Sequence, residues 1–528
     1  MSLARAIATV GSFTLLSRLV GFARDIVLSA VLGSGAVADA FFVAFKLPNF
    51  FRRLFAEGAF SAAFVPLFAR ELHEGGRAEA LAFARQAQAA LLLVLVPFTV
   101  LLILAMPGVM AVLAPGLRDD APTFALAVAF GRIAFPYLLF ISLASLYGGV
   151  LNSIDRFAHV AATPILLNLA LIGAVLGLTP FLPNSGYAAS AGVAIAGILQ
   201  WLWLLLACAR DGVGMTLVRP RWTARVARLV KLATPVAVGG GVQQISVVLD
   251  VVWASLLPVG TISVLYYADR VAQLPLGVVG IAIGTALLPL LARELRAGQT
   301  ASALANQNRA IEYGLLFSLP AALALGQLAE PIIRILFEHG RFSPEDTARS
   351  AGALAAFAVG LPAFVVVKAL TPGFFAREDT RTPLYIALLA IATNIVLNVA
   401  FLYGTMLAQV GIALASSLSG WLNAALLAIV LLRRGQWAPD TRLVSRTLRV
   451  VAATLGMGAI LWGALVWLSP LLARADLEGT IVLLAVCAAG GAAYAVLGGL
   501  LGIVRISELR YLLRRPPGLR STDPGEQP

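Results

Sequence analysis

The chain has 528 residues, of which 60% are apolar and only 12% charged, and its mean hydropathy is +0.90. That composition excludes a soluble globular domain and makes lipid the main solvent. The net charge of +13 does not point to nucleic acid, because the basic residues are spread through loops rather than set in a dense stripe on a polar domain.

In chain order, apolar runs predict helices near residues 7–32, 36–69, 80–113, 122–152, 159–180 and 187–210. A second set follows at 227–256, 262–295, 307–338, 347–375, 382–404, 409–433, 444–469 and 478–504. Most are long enough to cross a hydrocarbon core about 30 Å thick, so the fold class is an all-α integral membrane protein of about fourteen transmembrane helices. The first run carries Arg18, Arg24 and Asp25 and has no small-residue cleavage site after a short apolar core. It is therefore expected to stay in the mature protein. Pro48, Pro136, Pro275 and Pro362 are the expected kink points.

Loop charge sets the orientation. Arg210, Arg219, Arg221, Arg225, Arg228 and Lys231 follow the sixth run, and Arg433, Arg434, Arg442, Arg446 and Arg449 follow the twelfth. The loops at 33–38, 181–186, 257–261 and 404–408 carry almost no charge. Both termini are thus expected in the cytoplasm. Residues 330–349 break the pattern, with charges of both signs on the predicted outer side. The tail, with Arg510, Arg514 and Arg515, reads as an amphipathic start followed by disorder, suited to anionic lipid headgroups.

An internal repeat is visible. Pro66-Leu67-Phe68-Ala69-Arg70-Glu71-Leu72 recurs as Pro289-Leu290-Leu291-Ala292-Arg293-Glu294-Leu295, and Leu47-Pro48 recurs as Leu274-Pro275. The offset spans an even number of helices, so the halves have parallel topology. Two pseudo-symmetric six-helix lobes around a central cavity are expected, at 1–218 and 219–436, related by an axis along the membrane normal. Residues 437–506 hold two extra helices without a counterpart, and 507–528 form the cytoplasmic tail.

Ionisable groups inside apolar helices are the informative residues, because each costs about 2.5 to 3.5 kcal/mol at the bilayer centre on insertion scales. Arg18, Arg24 and Asp25 lie in the first run. In the second, Asp39, Lys46 and Arg53 recur every seven residues, with Asn49, Arg52 and Glu57 alongside. In the eighth, Ser263, Tyr266, Asp269, Arg270 and Gln273 follow helical spacing. Such stripes imply a water-filled cavity, and the excess of arginine implies an anionic occupant, since the guanidinium fork grips phosphate oxygens in pairs. Asp25, Asp39, Glu57 and Asp269 are the expected counterions, exchanged when ligand arrives. Structural ion pairs at Arg24-Asp25 and Asp269-Arg270, or snorkelling near helix ends, compete as explanations for single residues, above all for Arg52, Arg53 and Glu57. They do not account for the whole set.

Other features are weaker. Cys208 and Cys487 are far apart, and His73, His159 and His339 lie in separate loops, so no metal site is expected. Gly239-Gly240-Gly241 follows no strand and is not a phosphate loop. Asp250, Asn394 and Asn398 offer oxygen ligands for a coupling cation, and a hydrogen-bonded packing role explains them equally well. No nucleophile lies near a base, and no nucleotide-binding motif is present. An enzyme or an ATP-driven pump is not expected.

The segment Leu47-Pro48-Asn49-Phe50-Phe51-Arg52-Arg53-Leu54-Phe55-Ala56-Glu57-Gly58-Ala59-Phe60-Ser61 is similar to the hallmark of the MurJ (MviN) lipid II flippase family. So are Tyr266-Tyr267-Ala268-Asp269-Arg270, Gly280-Ile281-Ala282-Ile283-Gly284-Thr285 and Asp379-Thr380-Arg381-Thr382-Pro383. The resemblance covers essentially the whole chain. It implies the two-lobed fold of the multidrug/oligosaccharidyl-lipid/polysaccharide exporter superfamily in the bacterial inner membrane. It also implies outward movement of lipid II, the undecaprenyl-pyrophosphate-linked disaccharide pentapeptide, for peptidoglycan synthesis. The family's functional arginines fall on Arg18, Arg24, Arg52 and Arg270, with Asp39 as an important acid, and the last two helices would form a groove for the lipid tail. Lys46, Asn49 and Arg53 join the expected headgroup contacts. No cofactor is expected; Na+ or H+ coupling or the membrane potential would supply the energy, and membrane lipids and cell-wall synthesis proteins are the expected partners besides lipid II. Other readings are an exporter of a different polyprenyl-linked saccharide or of a drug, and a non-transporting scaffold for cell-wall synthesis. A drug exporter would need an acidic rather than an arginine-rich lining.

Overall fold

The computed structural model describes residues 3–53 and 60–503, with backbone alone at 3–8, 237–247, 278–279, 281–282 and 285. Glu57 and the tail from 507 onward lie outside the described residues. The described part is helical, with no strand. Its helices are α1 (Leu3–Leu32), α2 (Ala36–Phe51), α3 (Ser61–Glu74), α4 (Gly76–Leu104), α5 (Met106–Leu113) and α6 (Ala121–Ala134). They continue with α7 (Tyr137–Ser153), α8 (Phe157–Leu178), α9 (Ser185–Arg210), α10 (Ala224–Ser255), α11 (Thr261–Arg296) and α12 (Thr300–Gln327). The last are α13 (Ala329–Phe337), α14 (Pro344–Phe375), α15 (Arg381–Gly404), α16 (Ala408–Arg433), α17 (Thr441–Leu472) and α18 (Leu477–Leu500).

Hydropathy located these helices to within a few residues over most of the chain, and the polytopic all-helical class is what the structure has. Among the described residues, ten helical stretches are long and apolar enough to cross a membrane. That number, rather than fourteen, is what length and composition establish. The run expected at 36–69 is not described as one helix: α2 ends at Phe51, and Arg52 and Arg53 continue in wider π-type turns. The run at 122–152 is broken where Pro136 separates α6 from α7. Pro48, Pro275 and Pro362 instead sit inside unbroken helices, as neighbouring helices in a membrane permit.

Helix starts follow local capping chemistry. Asn184, Thr223, Asp440 and Asp476 each accept a hydrogen bond from a first-turn backbone N–H of the helix that follows.

The chain divides into two compact units. The first comprises Met1–Asp269, Leu336–Ala353 and Leu397–Ile412; the second comprises Arg270–Ile335, Leu354–Val396 and Ala413–Pro528. In the first, α8 packs against α1 and α9, α9 against α7, and α2 against α6. Small residues allow the close approaches: a Cβ on Gly186 would run into the Phe130 ring, and one on Gly192 into Ala174. This is how helices associate where lipid removes the hydrophobic drive between them. In the second unit α12 packs on α17, and α17 on α18.

Candidate functional site

The polar centre of the first unit is built on α1. Arg24 and Asp25, in an otherwise apolar helix, are 7% and 3% exposed. Burial of that depth requires partners. The Arg24 guanidinium donates from Nη2 to Asp25 Oδ1 at 2.7 Å and from Nε to the same oxygen at 3.1 Å. Its Nη1 donates to Asn168 Oδ1 on α8 at 2.9 Å, and Nη2 also reaches the Tyr266 hydroxyl at 3.4 Å. Tyr266 in turn donates to Asp25 Oδ1 at 3.1 Å. Asn168 is held by donating to the Ser17 carbonyl at 3.2 Å, an approach open because Gly21 has no side chain to fill the space beside it. The Tyr266 ring stacks on Phe42 of α2 with centroids 3.9 Å apart.

Asp39, 1% exposed, has partners of another kind. It accepts from the backbone N–H of Gly260 at 2.6 Å and of Ser263 at 2.8 Å, and from the Ser263 hydroxyl at 2.7 Å. It therefore caps the N-terminus of α11 from another helix, where exposed N–H groups and the helix dipole favour an anion. Where a guanidinium partner was expected, the structure places a helix end.

Around this cap lies a collar of contacts, all within the first unit. Arg341 N–H donates to the Ala30 carbonyl at 2.9 Å, Ser34 donates to Asp346, and Tyr267 donates to the Gly33 carbonyl at 3.3 Å. Arg349 Nη2 donates to the Thr261 hydroxyl at 3.0 Å. Two glycines make the approach possible. Gly33 and Gly340 have φ of +69° and +61°, and a Cβ on either would collide with the opposing backbone at 2.7 Å and 2.3 Å. The mixed charges at 330–349, anomalous for an outer loop, thus supply part of this collar.

The other expected residues are placed as follows. Arg18 is exposed, while Lys46, Asn49 and Arg52 are half-buried and Arg53 is exposed. Arg52 Nε donates to Asn49 Oδ1 at 3.3 Å, and Asn49 donates to the Phe45 carbonyl at 3.0 Å. Asp269 and Arg270 are half-buried and fall in different units. Asp250 is half-buried, and Asn394 and Asn398 are buried, with Asn394 donating to the Ser416 hydroxyl at 3.4 Å. Asn168 was missed from the sequence. Its signal was a lone amide in the long apolar run of α8.

The arrangement can hold a buried guanidinium ready for an anion, and it ties three chain segments together through a capped helix end. The profile of a family described as "Lipid II flippase MurJ" matches residues 28–476. A probable lipid II flippase MurJ of Rhizobium meliloti (strain 1021) is 44% identical over 530 residues, covering 99% of this chain and 98% of that one. Among solved structures, a lipid II flippase MurJ in an inward closed conformation matches with a TM-score of 0.78 at 24% identity, covering 96% of this chain and 99% of that one. An inward-facing multidrug resistance MATE family transporter of the MOP superfamily matches with a TM-score of 0.67 at 15% identity, covering 81% and 98%. At these identities the structural matches speak for the fold.

Proposed function

The chain belongs to the lipid II flippase MurJ family, and from that premise we propose that it carries lipid II from the inner to the outer leaflet of the bacterial inner membrane by alternating access. It is a multi-pass transporter of that membrane, and both termini are assigned to the cytoplasm on loop charge. We assign Arg18, Arg24, Arg52 and Arg270, with Lys46, Asn49 and Arg53, to the two phosphate groups of the single pyrophosphate that links the headgroup to the tail. The undecaprenyl tail stays in lipid and runs along α17 and α18.

The observation that carries this reading is the buried Arg24 guanidinium. One carboxylate oxygen of Asp25 accepts two charge-assisted bonds from it, and Asn168 and Tyr266 offer neutral ones. A diphosphate brings more negative charge in a geometry that matches the guanidinium fork. Asp25 then gives up its bonds to Arg24, and the exchange couples binding to a change of state, because a ligand shifts a conformational equilibrium only through contacts that differ between states.

The Asp39 cap and its collar supply the second element. Opening on that side requires Gly260 and Ser263 to leave Asp39, and the α11 end to lose its anion. We assign the collar to the outer side, closed while the cytoplasmic side receives the headgroup. Membrane potential or a Na+ or H+ gradient resets the protein, with Asp250, Asn394 and Asn398 as the residues assigned to a coupling cation.

The test is direct. Arg24→Ala and Arg270→Ala are expected to abolish the appearance of lipid II on the outer leaflet while leaving membrane insertion intact. Normal outer-leaflet lipid II in either variant would overturn the assignment.

A further inference from the structure

Among the described residues, a charged cluster that the flippase mechanism leaves unused lies in the second unit, where α12 meets the start of α17. Glu312 on α12 is 4% exposed. Arg446 Nη1 donates to its Oε1 at 2.5 Å, Arg309 donates to its Oε2, and Arg442 Nε lies 3.5 Å from the same Oε2. Arg309 also bonds Asp440, whose Oδ1 caps α17 by accepting from the Leu443 N–H at 2.6 Å. Beside it, Trp437 Nε1 donates to Asn308 Oδ1 at 2.7 Å, and Asn308 donates to the Ala438 carbonyl at 3.0 Å. The entry to α17 is thus tied to α12 on both sides of the cap.

The rest of the α17–α18 hairpin is held differently. Its described apolar packing joins Met457, Leu461, Leu472, Leu483 and Val486 to Leu328, and Val450, Ala453 and Ile503 to Leu316 and Leu319. Elsewhere it presents bare apolar side chains, among them Leu455, Trp462, Trp467 and Leu484, each more than half exposed. In a bilayer, apolar contact between helices gains little over contact with lipid tails, so packing alone does not fix where such a hairpin sits. Polar ties do. The Tyr494 hydroxyl donates to the Leu316 carbonyl at 2.7 Å and Arg334 Nη1 to the Leu472 carbonyl at 3.5 Å, whereas the Glu312 cluster gathers arginines around a buried carboxylate.

We propose that Glu312 is a positioning residue for the lipid tail: it pins the cytoplasmic end of α17 to α12 and so fixes the apolar surface against which the polyprenyl chain lies. This rests on the reading above that α17 and α18 carry the tail. Glu312 touches no part of the substrate. It acts through Arg446, Arg442 and Arg309.

The inference concerns tail recognition, so it is tested by varying the tail at constant headgroup. The full-length chain in lipid nanodiscs is titrated with undecaprenyl lipid II and with its farnesyl analogue. The wild type is expected to prefer the longer tail by at least about tenfold, a gain that comes from close van der Waals fit to a preformed apolar surface, since both tails start in lipid. In Glu312→Gln the preference should fall to within about threefold through weaker undecaprenyl binding, with farnesyl binding unchanged, because the fitted surface is no longer held in place. Arg446→Gln leaves Glu312 paired with Arg309 and should lower the ratio in the same direction by less, which keeps the test open if Glu312→Gln does not fold. A wild type indifferent to tail length overturns the tail-groove reading itself and the inference with it. A wild type that discriminates, beside variants that keep the full ratio or weaken both lipids equally, overturns the role of Glu312 alone.

Discussion

In the first unit the guanidinium of Arg24 gathers Asp25, Asn168 and Tyr266 around it; in the second the carboxylate of Glu312 gathers Arg309, Arg442 and Arg446. Both centres are buried, and both join separate helices. They differ in redundancy. Around Arg24 the described contacts are two bonds to one carboxylate oxygen and two to neutral groups, and an incoming diphosphate offers the cation more negative charge than Asp25 does. Around Glu312 several cations share one anion, so losing one leaves the others in place. The first centre is built for exchange and the second for permanence.

The comparison is broken most easily at Asp25. Asp25→Ala removes a charged partner of a buried guanidinium and should destabilise the protein by about 3 to 5 kcal/mol, as breaking a buried ion pair does. Unfolding followed in detergent reads this, and a loss no greater than that of a surface substitution would show that Asp25 is not the counterion. At the other centre, Arg442→Ala should cost below about 1 kcal/mol, since Arg442 is half exposed and Glu312 keeps its shorter bonds. A cost matching that of Asp25→Ala would erase the contrast in redundancy.

A third site calibrates both. Asp379 lies in a loop of the second unit, where it accepts from the Thr382 N–H at 2.9 Å and from Arg434 at 2.7 Å. Hydrogen bonds from Thr382, with help from Arg434, pull its carboxyl down to about 2. A lowered carboxyl pKa stabilises the fold above the ordinary carboxylate range, and the contribution fades as pH falls through the folded value. The stability gap between wild type and Asp379→Asn should therefore be small but full at neutral pH, narrow below about pH 4, and close near the folded value. A gap independent of pH would mean that the Asp379 charge does not contribute.

Much of this was legible in the sequence, and for unequal reasons. Helix limits were, because apolar runs bounded by arginine-rich or glycine-containing loops leave few alternatives in lipid. The end of α2 at Phe51 was legible only as a competing reading, in which a break there brings Arg52 and Arg53 near an interface, because the two arginines also continue the polar stripe of a longer helix. Arg24, Asp25 and Asp39 stood out because a charge in an apolar helix is costly unless partnered. Asn168 did not, since an amide carries a far smaller insertion cost. Asp39 was legible as important, but its partner was not: a carboxylate that caps a distant helix end looks in sequence like one that faces an arginine. Glu312 was hidden by its neighbours, because Asn306, Gln307, Asn308 and Arg309 make the start of α12 read as a solvated surface.

The central claim is that this chain delivers lipid II to the outer leaflet through Arg24. Its most direct test is depletion of the protein in its native bacterium, followed by measurement of how lipid II divides between leaflets, with wild type or Arg24→Ala supplied in its place. Lipid II is expected to accumulate on the inner leaflet on depletion and to reach the outer leaflet again with wild type but not with Arg24→Ala. An unchanged distribution on depletion, or full restoration by Arg24→Ala, would contradict the account.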